Sequence, residues 1–252
     1  MKRKLIKEEK NLYPIQKMVN SRRDFLKIGG LVVAGSSLLL LSCKDDDDTV
    51  IVPPDDVFDL GSGDLGILNY AYALEQLEAA FYTKVLSGSY WMGADTNEKQ
   101  ILEDLYNHEV IHREFFKVAI TAAASSASMV LPTLEFDFSS VDFSSRDSVL
   151  GIAKVLEDTG VSAYNGAGKL LQNIDYLLIA GKIVSVEARH ASAIRDLINP
   201  GSTDFAGDDI LVDLNSSGKA YDKATAPAAV LAAVGATGFV KTEFTANNLP
   251  TS

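Results

Sequence analysis

The 252-residue sequence has one cysteine, Cys43, and three histidines. A single thiol leaves no pair for an intrachain disulfide and too few ligands for a cysteine-rich iron–sulfur or rubredoxin-type centre. Basic residues are scarce after position 42. Residues 1–42 hold nine Lys and Arg and three Asp and Glu, so residues 43–252 hold 14 basic and 31 acidic residues, a net charge of −17. Such a surface repels nucleic acid and attracts cations, so nucleic-acid binding is not expected.

The sequence also lacks a long apolar run. The longest, Ile28–Leu41, spans 14 residues, whereas a membrane-spanning helix needs about 20. It follows the charged segment Ser21–Lys27, which reads Ser-Arg-Arg-Asp-Phe-Leu-Lys, and it runs into Leu-Leu-Ser-Cys ending at Cys43. A charged start, a short apolar stretch and a cleavage site are typical of an export signal. Residues 1–43 are therefore predicted to be a signal peptide.

These strings resemble a twin-arginine export signal that ends in a lipoprotein box. The resemblance implies transport by the twin-arginine export machinery, lipidation of Cys43 and attachment to a membrane through that lipid. Lys44 and the four aspartates that follow it are similar to a signal that sends lipoproteins to the outer face of the outer membrane in some bacteria. A solvated tether is the alternative. We therefore expect an exported outer-membrane lipoprotein, with exposure at the cell surface left open.

The remaining chain has the periodicity of long helices. Residues 44–62 are acidic, contain two adjacent prolines and are predicted to be a linker. An all-α, ferritin-like four-helix bundle with one long crossover connection is predicted over residues 63–199. Residues 200–252 form a C-terminal extension, in which residues 226–240 could form one more short helix on the bundle end. The predicted bundle helices cover residues 64–86, 97–124, 147–172 and 174–198, with Asp64 as the first N-cap.

Two of the predicted helices carry a Glu-x-x-His string: Glu109 with His112, and Glu187 with His190. Residues three apart on a helix project from the same face, so each string offers two metal ligands one turn apart. The other two helices each carry a Leu-Glu pair followed seven residues later by a tyrosine. These residues are Glu75 with Tyr82 and Glu157 with Tyr164.

The four strings indicate an internal duplication of a helical hairpin. Glu75 and Glu157 lie 82 residues apart, and Glu109 and Glu187 lie 78 apart, so the halves run nearly in register. Carboxylates in the middle of apolar helix faces carry a large desolvation penalty unless they are paired or bound to metal. Two divalent ions would balance four glutamates, and carboxylate with imidazole suits iron, manganese or zinc. The predicted ligands are Glu75, Glu109, His112, Glu157, Glu187 and His190.

Three neighbouring positions stay open on sequence grounds. Glu78 lies nearer the centre of the apolar face than Glu75, but the duplication aligns Glu75 with Glu157. Glu78 is therefore an alternative ligand or a neighbour of the ligands. Tyr82 and Tyr164 are either core aromatics or hydrogen-bond partners of ligating carboxylates on a neighbouring helix. His108 points about 100° away from Glu109 and is expected at the surface or behind the ligands.

Over residues 64–198 the chain resembles the ferritin-like superfamily. The ligand order is similar to that of bacterioferritin and rubrerythrin. The strings over residues 68–82 and 187–191 look like the ferritin-like domain of bacterial exported proteins and plant desiccation-related proteins. The resemblance implies a dinuclear iron or manganese site at the six predicted ligands. The chain departs from rubrerythrin in lacking Cys-x-x-Cys pairs. It departs from storage ferritins in its lipid anchor and C-terminal extension, which argue against a closed cage.

The resulting hypothesis is an exported, lipid-anchored di-metal oxidoreductase of the ferroxidase or peroxide-scavenging type, acting in stress protection. No catalytic residue beyond the metal ligands is identified. The alternative is a non-enzymatic surface lipoprotein whose bundle binds a partner or protects against desiccation, with a structural metal or none. Zinc in the same site would be redox-silent. The sequence leaves open whether the chain forms a homo-oligomer.

Overall fold

A computed structural model describes residues 57–214 and 218–251. Its main feature is a bundle of four long helices, and a short helix α2 (Ser89–Gly93) joins the first two of them. The long helices are α1 (Gly63–Ser87), α3 (Thr96–Ala123), α4 (Arg146–Gly168) and α5 (Ile174–Ile198). The predicted all-α bundle with one long crossover, residues 124–145, is confirmed. The predicted signal peptide, Cys43 and most of the acidic linker lie outside the described residues.

The helix starts follow the capping preferences of their sequences. Asp95 accepts a hydrogen bond from the backbone N–H of Glu98 at the start of α3, and Asn173 caps α5 in the same way. The expectation that Asp64 caps α1 is wrong, because Ser62 occupies that position. The Asp64 carboxylate instead accepts the backbone N–H groups of Gln172 (2.7 Å) and Asn173 (2.8 Å). It therefore fastens the start of α1 to the start of α5.

Helix α1 is the central element of the bundle. It packs mainly against α3, while α4 packs mainly against α5, so the bundle consists of two helical hairpins. Buried residues surround α1 on every side. An amphipathic helix at the protein surface would instead keep one polar face in water. Some other part of the chain must therefore cover the polar side of α1.

The crossover provides that cover. Asn69 and Gln76 lie on the polar side of α1, yet they are only 1% and 3% exposed. The Asn69 amide donates to the carbonyl oxygen of Met129 and accepts the backbone N–H of Leu131. Gln76 accepts the backbone N–H of Leu134. The two amides replace the hydrogen bonds that the crossover backbone would otherwise make with water.

The C-terminal extension packs along the side of the bundle. Helix α6 (Pro227–Thr237) matches the short helix predicted there, but its Val234 contacts the α1–α4 seam beside Leu74 and Gly160 instead of the bundle end. Gly166 of α4 has no room for a side chain, because a Cβ would meet the carbonyl oxygen of Thr225 at 1.9 Å. Within residues 57–214 and 218–251, no helix is long and apolar enough to cross a membrane.

Four short strands complete the fold of the described residues. Strands β2 and β3 form an antiparallel pair within the extension, and β1 pairs in parallel with β4. The β1–β4 pair ties the segment before α1 to the C-terminal segment. The Asp59 carboxylate adds a hydrogen bond from the Thr245 hydroxyl at 2.8 Å. The strands are β1 (Phe58–Asp59), β2 (Leu211–Asp213), β3 (Lys219–Asp222) and β4 (Phe244–Thr245).

Candidate metal centre

Six side chains from the four long helices converge in the middle of the bundle. Helices α1 and α4 each supply one glutamate, whereas α3 and α5 each supply a glutamate and the histidine one turn later. We call this set the carboxylate–histidine cluster. Its members are Glu75, Glu109, His112, Glu157, Glu187 and His190.

The cluster divides into two overlapping groups of four. One group contains Glu75 and His112, and the other contains Glu157 and His190. Glu109 and Glu187 belong to both groups. In each group the candidate ligand atoms lie within 4.8 Å of one another. Metal–ligand bonds of about 2.0–2.2 Å would place the ligands of one ion at most about 4.4 Å apart, so each group needs only a small inward shift of its side chains to surround one ion. The geometry therefore suits two neighbouring ions, with Glu109 and Glu187 able to contact both.

The histidines face this centre with their Nδ1 atoms. His112 Nδ1 lies 3.0 Å from an oxygen of Glu187 and 3.4 Å from oxygens of Glu75 and Glu109. His190 Nδ1 lies 2.8–3.4 Å from oxygens of Glu109, Glu157 and Glu187. One ring nitrogen carries at most one proton, so it can donate to only one of its three carboxylate neighbours. Each Nδ1 therefore lies where it could bind a metal ion together with the three carboxylates around it.

The glutamates of the cluster are sealed from solvent, and the cluster is incompletely hydrogen-bonded. Its four glutamates are 0% exposed. Buried polar atoms nearly always have a hydrogen-bond partner, yet within the described residues eight buried atoms of the cluster have none and only approach one another as histidine–carboxylate pairs. All eight point into the centre. They are Glu75 Oε2, both oxygens of Glu109, His112 Nδ1, Glu157 Oε2, both oxygens of Glu187 and His190 Nδ1.

The pKa shifts of the cluster residues indicate the same shortage of positive charge. Burial, followed by the charges of neighbouring carboxylates, raises the pKa of Glu75 well above its ordinary value, and burial raises that of Glu157 to about 8. Burial alone would lower the pKa of His112, but Glu109, Glu187 and Glu75 raise it to about 12. Without cations, the cluster must therefore hold extra protons to limit carboxylate repulsion. Metal ions would displace those protons.

Two tyrosines hold the outer carboxylate oxygens in a reciprocal arrangement. Tyr82 of α1 donates to Glu157 Oε1 of α4 at 2.5 Å, and Tyr164 of α4 donates to Glu75 Oε1 of α1. Burial raises the pKa of both phenols well above the ordinary value, so they stay protonated and donate. In each glutamate the other oxygen, Oε2, belongs to the unpartnered set. The tyrosines therefore orient one oxygen of each carboxylate toward the centre.

Glu78 is buried beside the cluster but belongs to neither group of four. Burial, and then the charges of Glu109 and Glu187, raise its pKa well above the ordinary value. Its Oε1 would lie 3.1 Å from a Cβ at Gly160, so a larger residue at that position would crowd the carboxylate. The structure places Glu78 beside the cluster, opposite the glycine with which the duplication aligns it.

His108 lies on the solvent side of the cluster. Its side chain is exposed, as expected, but its Nδ1 is 2.9 Å from Nε2 of His190. Helical spacing correctly placed His108 away from Glu109. It could not reveal this contact, because the contact joins two helices and depends on how they are aligned against each other.

The structure thus gathers all six predicted ligands around one centre and places Tyr82 and Tyr164 against two of them. Their role as metal ligands stays a prediction. The eight unpartnered atoms and the carboxylate and imidazole donors fit iron, manganese or zinc.

One comparison with known proteins bears on this site. Residues 63–200 match a family model described as "Ferritin-like domain". That match covers more than half of the chain, all four long helices and the whole cluster. No curated protein sequence matches the chain.

Proposed function

Because the chain belongs to the ferritin-like domain family, we propose that it is an exported, lipid-anchored protein with a dinuclear iron or manganese site. The site would oxidise ferrous iron or remove peroxide in stress protection. The observation that carries this proposal is the set of eight unpartnered donor atoms around one buried centre. Within this family, we propose that the chain is related to the exported and desiccation-related ferritin-like proteins. The sequences of residues 68–82 and 187–191 support this assignment.

The residues of the cluster would divide the work of holding two ions. Glu75 and His112 would bind one ion, Glu157 and His190 the other, and Glu109 and Glu187 would contact both. Four carboxylates against two divalent ions leave the buried centre neutral. Iron or manganese held by these residues would supply the electrons for reducing oxygen or peroxide.

The surrounding residues would orient the ligands and exclude water. Tyr82 and Tyr164 hold the carboxylates of Glu157 and Glu75 in place. Those two groups therefore need little reorganisation when an ion enters. Leu102 and Ile120 of α3 belong to the apolar layers along the cluster-bearing helices and are 0% exposed. Such packing keeps the centre in a low-dielectric environment, where charge interactions are strong.

The test starts from metal-free protein mixed with ferrous iron in aerated buffer. We expect about two ions bound per chain, with consumption of oxygen or of added peroxide. Both should disappear in the double variant Glu109→Ala, Glu187→Ala. A Glu103→Ala variant removes an exposed carboxylate from α3, the helix that carries Glu109. This variant should keep both metal binding and turnover.

Each of the other outcomes would point to a different function for this protein. Two bound ions without turnover would favour a structural metal in a surface module that binds a partner or protects against desiccation. Zinc as the native metal would leave the site redox-silent. Failure to bind any divalent ion would refute the di-metal proposal.

Export and anchoring need a separate test, because the segment that carries them lies outside the described residues. We expect Cys43→Ala to release the protein from membranes and Arg22→Lys, Arg23→Lys to block export. Fractionation of cells expressing the full chain would measure both. Unchanged membrane attachment of the Cys43→Ala variant would contradict the lipid anchor, and protease treatment of intact cells would report surface exposure.

A further inference from the structure

We propose that His108 is a positioning residue that fixes the tautomer of His190 and makes the His190 side of the cluster the tighter of the two metal positions. This inference rests on the proposed di-metal site. It concerns a residue outside the six predicted ligands and predicts that the two positions, although built from duplicated strings, are unequal.

The geometry of the two rings supports a directed hydrogen bond. His108 Nδ1 and His190 Nε2 are 2.9 Å apart, and the ring planes differ by 7° with centroids 5.1 Å apart. The lone pair of an imidazole nitrogen lies in the ring plane. Two coplanar rings that meet through their nitrogens therefore have nearly ideal alignment for one N–H···N hydrogen bond.

The direction of that hydrogen bond follows from the position of the carboxylates. Nδ1 of His190 faces Glu109, Glu157 and Glu187, so a bound metal would take its lone pair. The proton of the neutral ring must then sit on Nε2, which donates to Nδ1 of His108. His108 in turn carries its own proton on Nε2. A hydrogen-bond acceptor behind a metal-binding histidine fixes its ring and raises its basicity, and loss of such a partner typically weakens metal binding about 10–100-fold.

In the part of the chain that the structure describes, His112 has no equivalent partner. Within the described residues its polar contacts are those of Nδ1 with carboxylates. The duplication explains the difference. Glu109 aligns with Glu187, so the residue that corresponds to His108 is Val186, whose side chain cannot accept a hydrogen bond. The same alignment suggests that Val186→His would place an acceptor near His112.

The first experiment reads the tautomers directly. A protein with only three histidines gives a simple nitrogen-15 imidazole spectrum. In zinc-loaded protein, we expect His190 to carry its proton on Nε2 and His108 to carry its proton on Nε2 with Nδ1 accepting. A His108 ring that is protonated on Nδ1, or that shows no coupling to His190, would overturn the proposal.

The second experiment titrates metal-free protein with zinc ions and follows the resonances of His112 and His190 separately. We expect His108→Ala to lower the affinity for the zinc ion that perturbs the His190 resonance about 10–100-fold. The affinity for the ion at His112 should stay unchanged. His108→Gln, whose side-chain oxygen can accept from Nε2, should recover part of the loss. Asn107→Ala, an exposed change beside His108, should leave both affinities as in the unmodified chain.

The outcomes separate the two proposals. If two zinc ions bind to the unmodified chain and to His108→Ala with equal affinities, only the His108 proposal is wrong. If the unmodified chain binds no divalent ion at the cluster, neither zinc nor ferrous iron, the di-metal proposal fails, and the His108 proposal fails with it. A gain in affinity at His112 on introducing Val186→His would support the reason given for the inequality.

Discussion

Helix α1 buries polar side chains on two of its sides, and the sides differ in how their polar atoms are satisfied. On one side, Asn69 and Gln76 exchange hydrogen bonds with the crossover backbone. On the other side, Glu75 joins carboxylates and imidazoles whose inward atoms have no partner within the described residues. Burial alone therefore does not mark a functional residue. A complete set of partners indicates a structural role, whereas a converging set of unpartnered atoms indicates a missing cation.

The largest expected effect comes from replacing the two shared carboxylates. Glu109→Gln, Glu187→Gln keeps side-chain size but removes the two negative charges that both metal positions use. We expect bound metal to fall from about two ions per chain to none, as measured by elemental analysis. The metal-free variant should still fold, because two charges have left a repulsive cluster. Retention of two ions would contradict the assignment of these residues as ligands.

The amide side should respond in the opposite way. Asn69→Leu removes the acceptor for the Leu131 N–H and the donor to the Met129 carbonyl oxygen. We expect the free energy of unfolding to fall by about 1–3 kcal/mol, the typical penalty for a buried polar group left unpaired. Urea denaturation measures the change. Metal content should stay at about two ions per chain. Loss of metal would contradict the view that the amide side of α1 is structural and only the Glu75 side binds metal.

A smaller effect is expected from the tyrosines, which connect the cluster to its protein surroundings. Tyr82→Phe removes the hydrogen bond to Glu157, and Tyr164→Phe removes the bond to Glu75. Each change should weaken one metal position about 10–100-fold without abolishing binding. Calorimetric titration with a divalent ion measures this. Tyr72→Phe alters a buried ring of α1 away from the cluster and serves as the matched control.

The smallest expected effect is a pH dependence of the metal-free protein. Burial and neighbouring acids raise the pKa of Glu157 from 4.5 to about 8, so stability falls as pH rises between those values. The raised pKa of His112, from 6.5 to about 12, has the same sign, because its stabilising contribution is complete below 6.5 and is lost toward 12. For Glu109, burial opposes the shift, but His112 and His190 lower the pKa from 4.5 to about 2, so stability falls with acid.

The Tm of metal-free protein should therefore be highest near pH 4.5 and decline toward pH 9. Bound ions replace the protons concerned, so metal-loaded protein should lose less stability over the same range. Thermal unfolding at several pH values, with and without metal, measures both curves. Parallel curves would show that the cluster does not exchange protons for cations.

The sequence predicted the bundle and the convergence of the cluster because both follow from spacing within single helices. Glu109 and His112 share a face by helical geometry, and the duplication then aligned Glu75 with Glu157. The burial of Asn69 and Gln76 could not be predicted, because helical periodicity cannot tell a polar face covered by a connection from one in water. The contact of His108 with His190 depends on the relative shift of α3 and α5. No residue pattern within either helix encodes that shift.

The most direct test of the missing-cation account is anomalous diffraction from crystals of this protein containing manganese. We predict two neighbouring peaks in the bundle core. One should lie among Glu75, Glu109, His112 and Glu187, and the other among Glu109, Glu157, Glu187 and His190. A core without peaks, with the carboxylates paired to protonated histidines or to ordered water instead, would contradict the account.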